Sequence, residues 1–224
     1  DKFNTSKVTN MNGMFQACYI IEYIDLSIFE TSNVSNMSGM FNKCHKLKEI
    51  IDIDKFNTSK VTNIRAMFQE CNEIEYINLS NFNTSNVTNM ECIFSKNYKL
   101  KEIVGIDKFN TSKVTNMRAM FNECNEIEYL NLSNFNTSNV SDLSVMFQEC
   151  FELKHVDISN FNIINVKNIS WMFNKCYKLK EIKGINILNN CKNINKTGLF
   201  EDCSKLKNTN YEGSAPLINI EKKQ

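Results

Sequence analysis

Residues 109–132 read FNTSKVTNMRAMFNECNEIEYLNL, and close variants of this segment recur along most of the chain. The phenylalanine at position 121 marks the recurrence, because equivalent phenylalanines stand at steps of 26 or 27 residues. They are Phe15, Phe41, Phe68, Phe94, Phe121, Phe147, Phe173 and Phe200. A fixed period of this size predicts a solenoid, in which each coil buries its apolar side chains only against its neighbours. We therefore predict a repeat solenoid of about eight coils.

Each coil contains segments with different spacings of apolar residues. Tyr129-Leu130-Asn131-Leu132 alternates apolar and polar residues, which predicts a short strand with one buried face. Stacking in register would join these strands into one parallel β-sheet. The closer apolar spacing of Met120–Cys124 predicts a short helical or 3₁₀ turn. Asn110-Thr111-Ser112 has turn-forming side chains and predicts a polar ladder that runs from coil to coil.

Coil length and the last coil indicate the domain organisation. Segments Ile50–Ile53 and Ile103–Ile106 each carry one residue more than their neighbours, which predicts a bulge or widened turn at the strand end. Residues 184–207 lack the Asn-Thr-Ser turn and are expected to form an atypical, cap-like coil, since an end coil must shield an open face. We interpret residues 1–207 as one solenoid domain and residues 208–224 as a C-terminal tail.

Seven of the nine cysteines share one repeat position, and Asn97 stands there in one coil. Equivalent side chains of stacked coils point the same way, which suits disulfide geometry poorly. Zinc binding would need cysteines at close spacing, and none are so paired in the sequence. We interpret the column as buried free thiols that act as small apolar residues. Cys92 and Cys191 lie outside the column, and the sequence leaves their exposure open.

A longer period of 53 residues separates Phe56 from Phe109, which makes a pair of coils the unit of duplication. The residues beside one apolar column alternate in charge from coil to coil. They are Lys46 and Lys48, Glu73 and Glu75, Lys99 and Lys101, then Glu126 and Glu128. Opposite charges on adjacent coils stabilise, whereas a ladder of like charges would repel. We favour a self-neutralising solvated face over a charged binding stripe.

The candidates for partner binding are Tyr23, Tyr76, Tyr129, His155, Trp171, Lys154 and Lys180. The tyrosines and His155 alternate with glutamates in one strand column, where exposed tyrosines would supply contact area at low entropic cost. Packing of the tyrosines on lysine stems is the alternative. Lys154 and Lys180 share a column with Lys207, which predicts a modest basic patch for an acidic partner or neutral filler. Trp171 replaces a small residue, so it is either an exposed anchor or a local packing group.

The sequence lacks the patterns that catalysis, metal binding, nucleic-acid binding or membrane insertion would require. The two histidines lie far apart, no nucleophile stands in a pattern with a base, and no phosphate loop or calcium loop occurs. We expect no catalysis, no cofactor and no metal. A formal net charge of +1 gives no field that favours nucleic acid, and no apolar run is long enough to span a membrane. We expect a monomer.

The unit Ser133-Asn134-Phe135-Asn136-Thr137-Ser138-Asn139-Val140, followed by Met146-Phe147 and Cys150, resembles the BspA-like leucine-rich repeats of bacterial, mycoplasmal and protozoan surface proteins. The resemblance covers about residues 3–203 and departs in the last coil and in a preference for Asn over Asp. It implies a right-handed leucine-rich-repeat-like coil, display at the cell surface or secretion, and adhesion to a host, matrix or partner protein.

The function expected from the sequence is therefore a non-catalytic surface-binding solenoid. An intracellular, cytoplasmic scaffold is the main alternative, since free thiols persist in reducing compartments. A passive stalk of variable length is the third. The chain opens inside a repeat at Asp1, so we expect it to be part of a longer or processed protein.

Overall fold

The computed structural model describes residues 4–190 and 193–207, which form short segments stacked coil on coil. Its strands are β1 (Tyr23–Asp25), β2 (Glu49–Ile51), β3 (Tyr76–Asn78), β4 (Glu102–Val104), β5 (Tyr129–Asn131), β6 (His155–Asp157) and β7 (Glu181–Lys183). Its 3₁₀-helices are Ile53–Lys55, Ile106–Lys108 and Ile185–Asn190. Every strand pair is parallel, which confirms the predicted solenoid.

The strands do not form the single continuous sheet that the repeat predicts. They pair as β1–β2, as β3–β4 and as β5–β6–β7. From β1 to β7 the chain makes six turns, fewer than the eight coils expected. Eight successive coils are nevertheless joined by a second ladder of parallel bridges outside the strands. This ladder joins Asn10, Asn36, Asn63, Asn89, Asn116, Asp142, Asn168 and Asn195 without a break. The asparagine ladder, and not the strand sheet, is thus continuous along the solenoid.

The sheet breaks follow the longer coils. Asp52 follows β2 and Gly105 follows β4, and both residues have left-handed backbone, with φ of 64° and 88°. A 3₁₀-helix follows each of them, so the predicted widened turn is confirmed. A Cβ on Gly105 would lie 2.5 Å from the Cα of Ser80, which excludes other residues there. Shorter coils instead close with an Asx turn, as where the Asn78 Oδ1 accepts from the Ser80 N–H at 3.1 Å.

The predicted helical turn at Met120–Cys124 is wrong. Ala119 and Glu123 adopt left-handed backbone, with φ of 56° and 58°, and this reversal prevents a helix. The Phe121 N–H donates to the Met146 carbonyl of the next coil at 2.9 Å, whereas the Met120 N–H donates within its own coil. One column, in which small residues predominate, takes the first of these left-handed positions in each coil, which explains the preference for small residues there. It comprises Gly13, Gly39, Ala66, Cys92, Ala119, Val145, Trp171 and Gly198.

The core consists of columns of equivalent, mostly apolar side chains. The repeat phenylalanines stack with ring centroids 5.1–5.9 Å apart. The column cysteines are free, as expected, and all of them except Cys18 donate from Sγ to a phenylalanine carbonyl of the preceding coil, at 3.1 Å for Cys150 and Phe121. Burial raises the pKa of the Cys44 and Cys150 thiols to about 12. Cys191 and the tail 208–224 lie outside the described residues, and the cap role of residues 184–207 stays a prediction.

Buried threonines form the predicted polar ladder. The Thr111 hydroxyl donates to the Asn136 carbonyl at 3.0 Å and accepts from the Asn136 N–H at 2.8 Å. Thr111 itself is buried, so both backbone groups of the next coil are satisfied away from water. The same pair of bonds recurs at Thr5, Thr31, Thr58 and Thr137.

Candidate protein-interaction surface

The first residue of each strand faces solvent on one side of the solenoid, which we call the sheet face. The middle residue of each strand points into the core because side chains alternate along a strand. Tyr23, Tyr76 and Tyr129 are 58, 59 and 62% exposed. The sequence placed these three tyrosines in one column, and the structure brings them to one face with their rings open to solvent.

Strand register sets a glutamate beside the tyrosines. Tyr23 is opposite Glu49, and Tyr76 is opposite Glu102. At the C-terminal end the row changes, since Tyr129 is opposite His155, which in turn is opposite Glu181. The His155 Nδ1 lies 3.3 Å from the Glu181 Oε2. His155 therefore joins the tyrosine row as predicted, but it is already in contact with a carboxylate.

Two clefts open on the sheet face where the strand ladder is broken. The cleft between β2 and β3 has a volume of about 380 Å³, and the cleft between β4 and β5 has a volume of about 720 Å³. Tyr23, Glu49 and Tyr76 line the first, and Tyr76, Glu102 and Tyr129 line the second. We call these two sets the Tyr–Glu–Tyr units. Each unit takes one residue from each of three successive coils, and the two units are one coil pair apart, so the 53-residue duplication in the sequence reproduces the cleft.

The alternating charges form ion pairs between adjacent coils, as predicted. Lysine Nζ atoms lie 2.6–2.7 Å from carboxylates in Lys48–Glu22, Lys99–Glu73, Lys101–Glu75, Lys154–Glu128 and Lys178–Glu152. The hydrogen bond from Lys99 lowers the pKa of Glu73. Because the pairs lie at the surface, each contributes little to the free energy of unfolding. Their main effect is to favour this alignment of adjacent coils.

Lys154 and Lys180 are neighbours in adjacent coils, where the Lys180 N–H donates to the Lys154 carbonyl at 2.9 Å. The Lys154 ammonium is bound to Glu128, so the basic patch at this end is partly neutralised. Lys180 and Lys207 are exposed. A role of these lysines in partner binding stays a prediction.

Trp171 lies in the turn stretch and not on a strand, which separates it from the tyrosine row. It has left-handed backbone with φ of 58° and is half-buried. Its indole ring covers the Cα of Gly198 in the next coil. Local packing on the next coil therefore accounts for the buried part of the Trp171 side chain. The use of Trp171 as a binding anchor stays a prediction.

Glu49 and Glu102 were not singled out by the sequence. Both are exposed, and neither forms an ion pair with a residue of the described ranges 4–190 and 193–207. Their alternation with tyrosine was visible in the sequence, but their lack of a lysine partner depends on which lysine side chains reach which carboxylates in three dimensions. In the same described part of the chain, no three or more histidine, cysteine, aspartate or glutamate side chains gather as a metal site would require. No described helix is long and apolar enough to cross a bilayer.

Comparison with known proteins places the chain in a family. The model of a family described as Mycoplasma protein of unknown function, DUF285, matches residues 1–104 and 98–212. No curated protein matches the chain.

Three crystal structures resemble the solenoid. A leucine-rich repeat protein from Eubacterium ventriosum is similar with a TM-score of 0.56 and 20% identity, over 89% of this chain and 47% of the other. A T. pallidum leucine-rich repeat protein gives 0.45 and 18% identity, over 89% and 72%. A leucine-rich cell surface protein from Faecalibacterium prausnitzii gives 0.33 and 16% identity, over 76% and 62%.

The Eubacterium ventriosum match shows the leucine-rich repeat fold, which confirms the relationship expected from the repeat. This chain spans about half the length of that protein. The family model covers almost the whole described solenoid. The chain therefore belongs to the DUF285 family of Mycoplasma proteins of unknown function.

Proposed function

We propose that this chain is a non-catalytic binding module displayed at the cell surface, where it contacts a host, matrix or partner protein through the sheet face. The observation that carries the proposal is the row of Tyr23, Tyr76 and Tyr129, each more than half exposed on a parallel scaffold. Tyrosine offers a large amphipathic surface at low entropic cost, and it is enriched at the energetic centres of protein interfaces. The leucine-rich repeat fold is generally a protein-interaction fold, which supports the same role.

The state of the thiols bears on the choice between surface display and an intracellular scaffold. Free cysteines favoured the scaffold when the sequence was considered alone. In the structure, Cys71, Cys124 and Cys150 are buried, and burial raises their pKa values well above the ordinary range. Because the thiolate is the species that oxidises, these residues are protected in an oxidising environment. The column is therefore compatible with display outside the cell.

Labelling of intact cells tests the location. An antibody raised against residues 1–224 is expected to label cells of the source organism without permeabilisation. Labelling only after permeabilisation would support the intracellular scaffold instead. An antibody to a ribosomal protein serves as the control for intact cells.

Replacement of the tyrosines tests the binding role. The Y23A/Y76A/Y129A variant is compared with the wild type for binding to host cells and to immobilised matrix proteins. Loss of three exposed anchors is expected to weaken binding by about tenfold or more, since interface tyrosines are frequent hot spots. The matched control is Y19A/Y98A/Y177A, which removes three other exposed tyrosines. Equal binding of all three proteins would refute the sheet face as the contact surface, and no binding by any of them would favour the passive stalk.

A further inference from the structure

We propose that the sheet face binds an extended basic segment of a protein partner, whose lysine or arginine side chains contact Glu49 and Glu102 between their flanking tyrosines. This inference rests on the proposed function, because it names the chemistry of the partner that the same face would bind. It combines the two clefts, the exposed rings and the balance of charge on this face.

Within the described tyrosine row, Glu49 and Glu102 are the two glutamates whose carboxylates contact neither a lysine nor a histidine. Lys48 is bound to Glu22, and Lys101 is bound to Glu75 and lies 3.7 Å from Glu126. The neighbouring carboxylates Glu128 and Glu152 are each bound to a lysine of the next coil. Glu49 and Glu102 have no such partner within residues 4–190 and 193–207. Cationic side chains from outside the chain would neutralise both carboxylates.

Two exposed tyrosines flank each of these carboxylates. Tyr76 and Tyr129 line the same cleft as Glu102, and Tyr23 and Tyr76 line the same cleft as Glu49. An ammonium or guanidinium group is attracted both to a carboxylate and to the face of an aromatic ring. The cleft volumes of about 380 and 720 Å³ lie in the range of about 300–1,000 Å³ that ligand sites occupy.

The period of the solenoid indicates an extended partner. The ring centroids of the stacked core phenylalanines are 5.6 Å apart from Phe41 to Phe68 and 5.9 Å apart from Phe68 to Phe94. A pair of coils therefore advances by at most about 11.5 Å, and Glu49 and Glu102 are one pair of coils apart. In a polyproline II segment every third side chain shares one face at intervals of about 9 Å. The reach of lysine and arginine side chains covers the remaining difference.

The C-terminal end of the row differs in a way that limits the site to two units. Tyr129 is opposite His155, and the Glu181 carboxylate there is in contact with the His155 ring at 3.3 Å. Glu181 thus provides an exposed carboxylate in the same column without two flanking tyrosines. The whole chain has a formal net charge of +1, so a basic peptide gains no general attraction to it.

Fluorescence anisotropy with a labelled repeated Lys-Pro-Ser peptide tests the inference. The wild-type chain is expected to bind this peptide at least about tenfold more tightly than a repeated Glu-Pro-Ser peptide. The E49Q/E102Q variant is expected to lose about tenfold in affinity, since each exposed ion pair accounts for a few-fold change. The matched control E181Q is expected to bind like the wild type, and binding is expected to weaken as salt increases.

Two outcomes would overturn the inference: binding of the basic peptide no tighter than that of the acidic one, or equal affinities of E49Q/E102Q and E181Q. The proposed function is tested separately by the tyrosine variants. If Y23A/Y76A/Y129A loses binding to cells or matrix while the basic peptide fails to bind, the sheet face is a binding surface for a partner of other chemistry.

Discussion

The indole ring of Trp171 lies directly over the Cα of Gly198, which occupies the equivalent position in the next coil. Both residues have left-handed backbone, with φ of 58° and 63°. A Cβ at position 198 would collide with the ring. The bulky residue at 171 and the glycine at 198 are therefore a complementary pair, although they appear in the sequence as one exception and one ordinary member of a small-residue column.

Replacement of Gly198 tests this complementarity. In G39A only the left-handed backbone is strained, because the nearest contact of the new Cβ is Asn42 Cβ at 3.7 Å, and we expect a loss of about 1 kcal/mol in the free energy of unfolding. In G198A the collision with Trp171 adds to that strain, and we expect a loss of about 2–4 kcal/mol. Urea unfolding followed by circular dichroism measures both. Equal losses would show that the tryptophan does not pack on Gly198.

The exception in the cysteine column gives a prediction of increased stability. Asn97 is fully buried, its Oδ1 accepts from the Cys71 N–H at 2.8 Å, and its Nδ2 has no hydrogen-bond partner among the residues that the structure describes. In N97C the unpartnered amide is removed and a thiol can donate to the Phe68 carbonyl, as Cys71 does to Phe41. We expect a gain of about 1 kcal/mol in the free energy of unfolding. The reciprocal C124N variant should be destabilised. A loss of stability in N97C would contradict the interpretation that the unpartnered Asn97 amide destabilises the folded chain.

Buried thiols make stability depend on alkaline pH. Burial raises the pKa of Cys44 and Cys150 from the ordinary 9.0 to about 12. The unfolded chain therefore releases these protons at lower pH than the folded chain. The stabilisation is fully present below pH 9 and is lost as the pH rises from 9 to about 12.

The alkaline effect is measured by comparing urea midpoints near neutral pH with those above the ordinary thiol pKa. The wild type should lose stability over this interval. The C44A/C150A variant should lose less, since the tyrosine and lysine contributions are common to both proteins. The native wild type should also react slowly with a thiol reagent at these positions. A pH dependence identical in the two proteins would exclude the thiols as its cause.

The ion pairs between coils give a prediction about salt. In E73K/E75K, two pairs with Lys99 and Lys101 are lost and four lysines of adjacent coils face two new ones. We expect a lower melting temperature at low salt, and the difference should disappear in about 1 M salt, where exposed charges are screened. Calorimetry at two salt concentrations measures it. E102K is the control, because Glu102 has no ion pair within the described residues, and a similar fall in E102K would contradict the pairing.

The tyrosine row and the charge alternation could be predicted because they depend on one quantity, the repeat length. A step of 26 residues places Lys101 beside Glu75, whatever the detailed path of the coil. The unpartnered state of Glu49 and Glu102 could not be predicted in this way. It depends on which lysine stems reach which carboxylates across a strand pair, and that is fixed by side-chain direction in three dimensions.

The spacing of residue types along the chain specifies the solenoid, its period, the apolar and threonine columns and the 53-residue duplication, because in-register stacking requires nothing more. The folded structure alone revealed the left-handed backbone of Ala119 and Glu123, where a helical turn was expected. It also decided that the sheet divides after β2 and β4 and opens two clefts. These features depend on backbone dihedral angles and on the separation of adjacent coils, which the spacing of residue types does not specify.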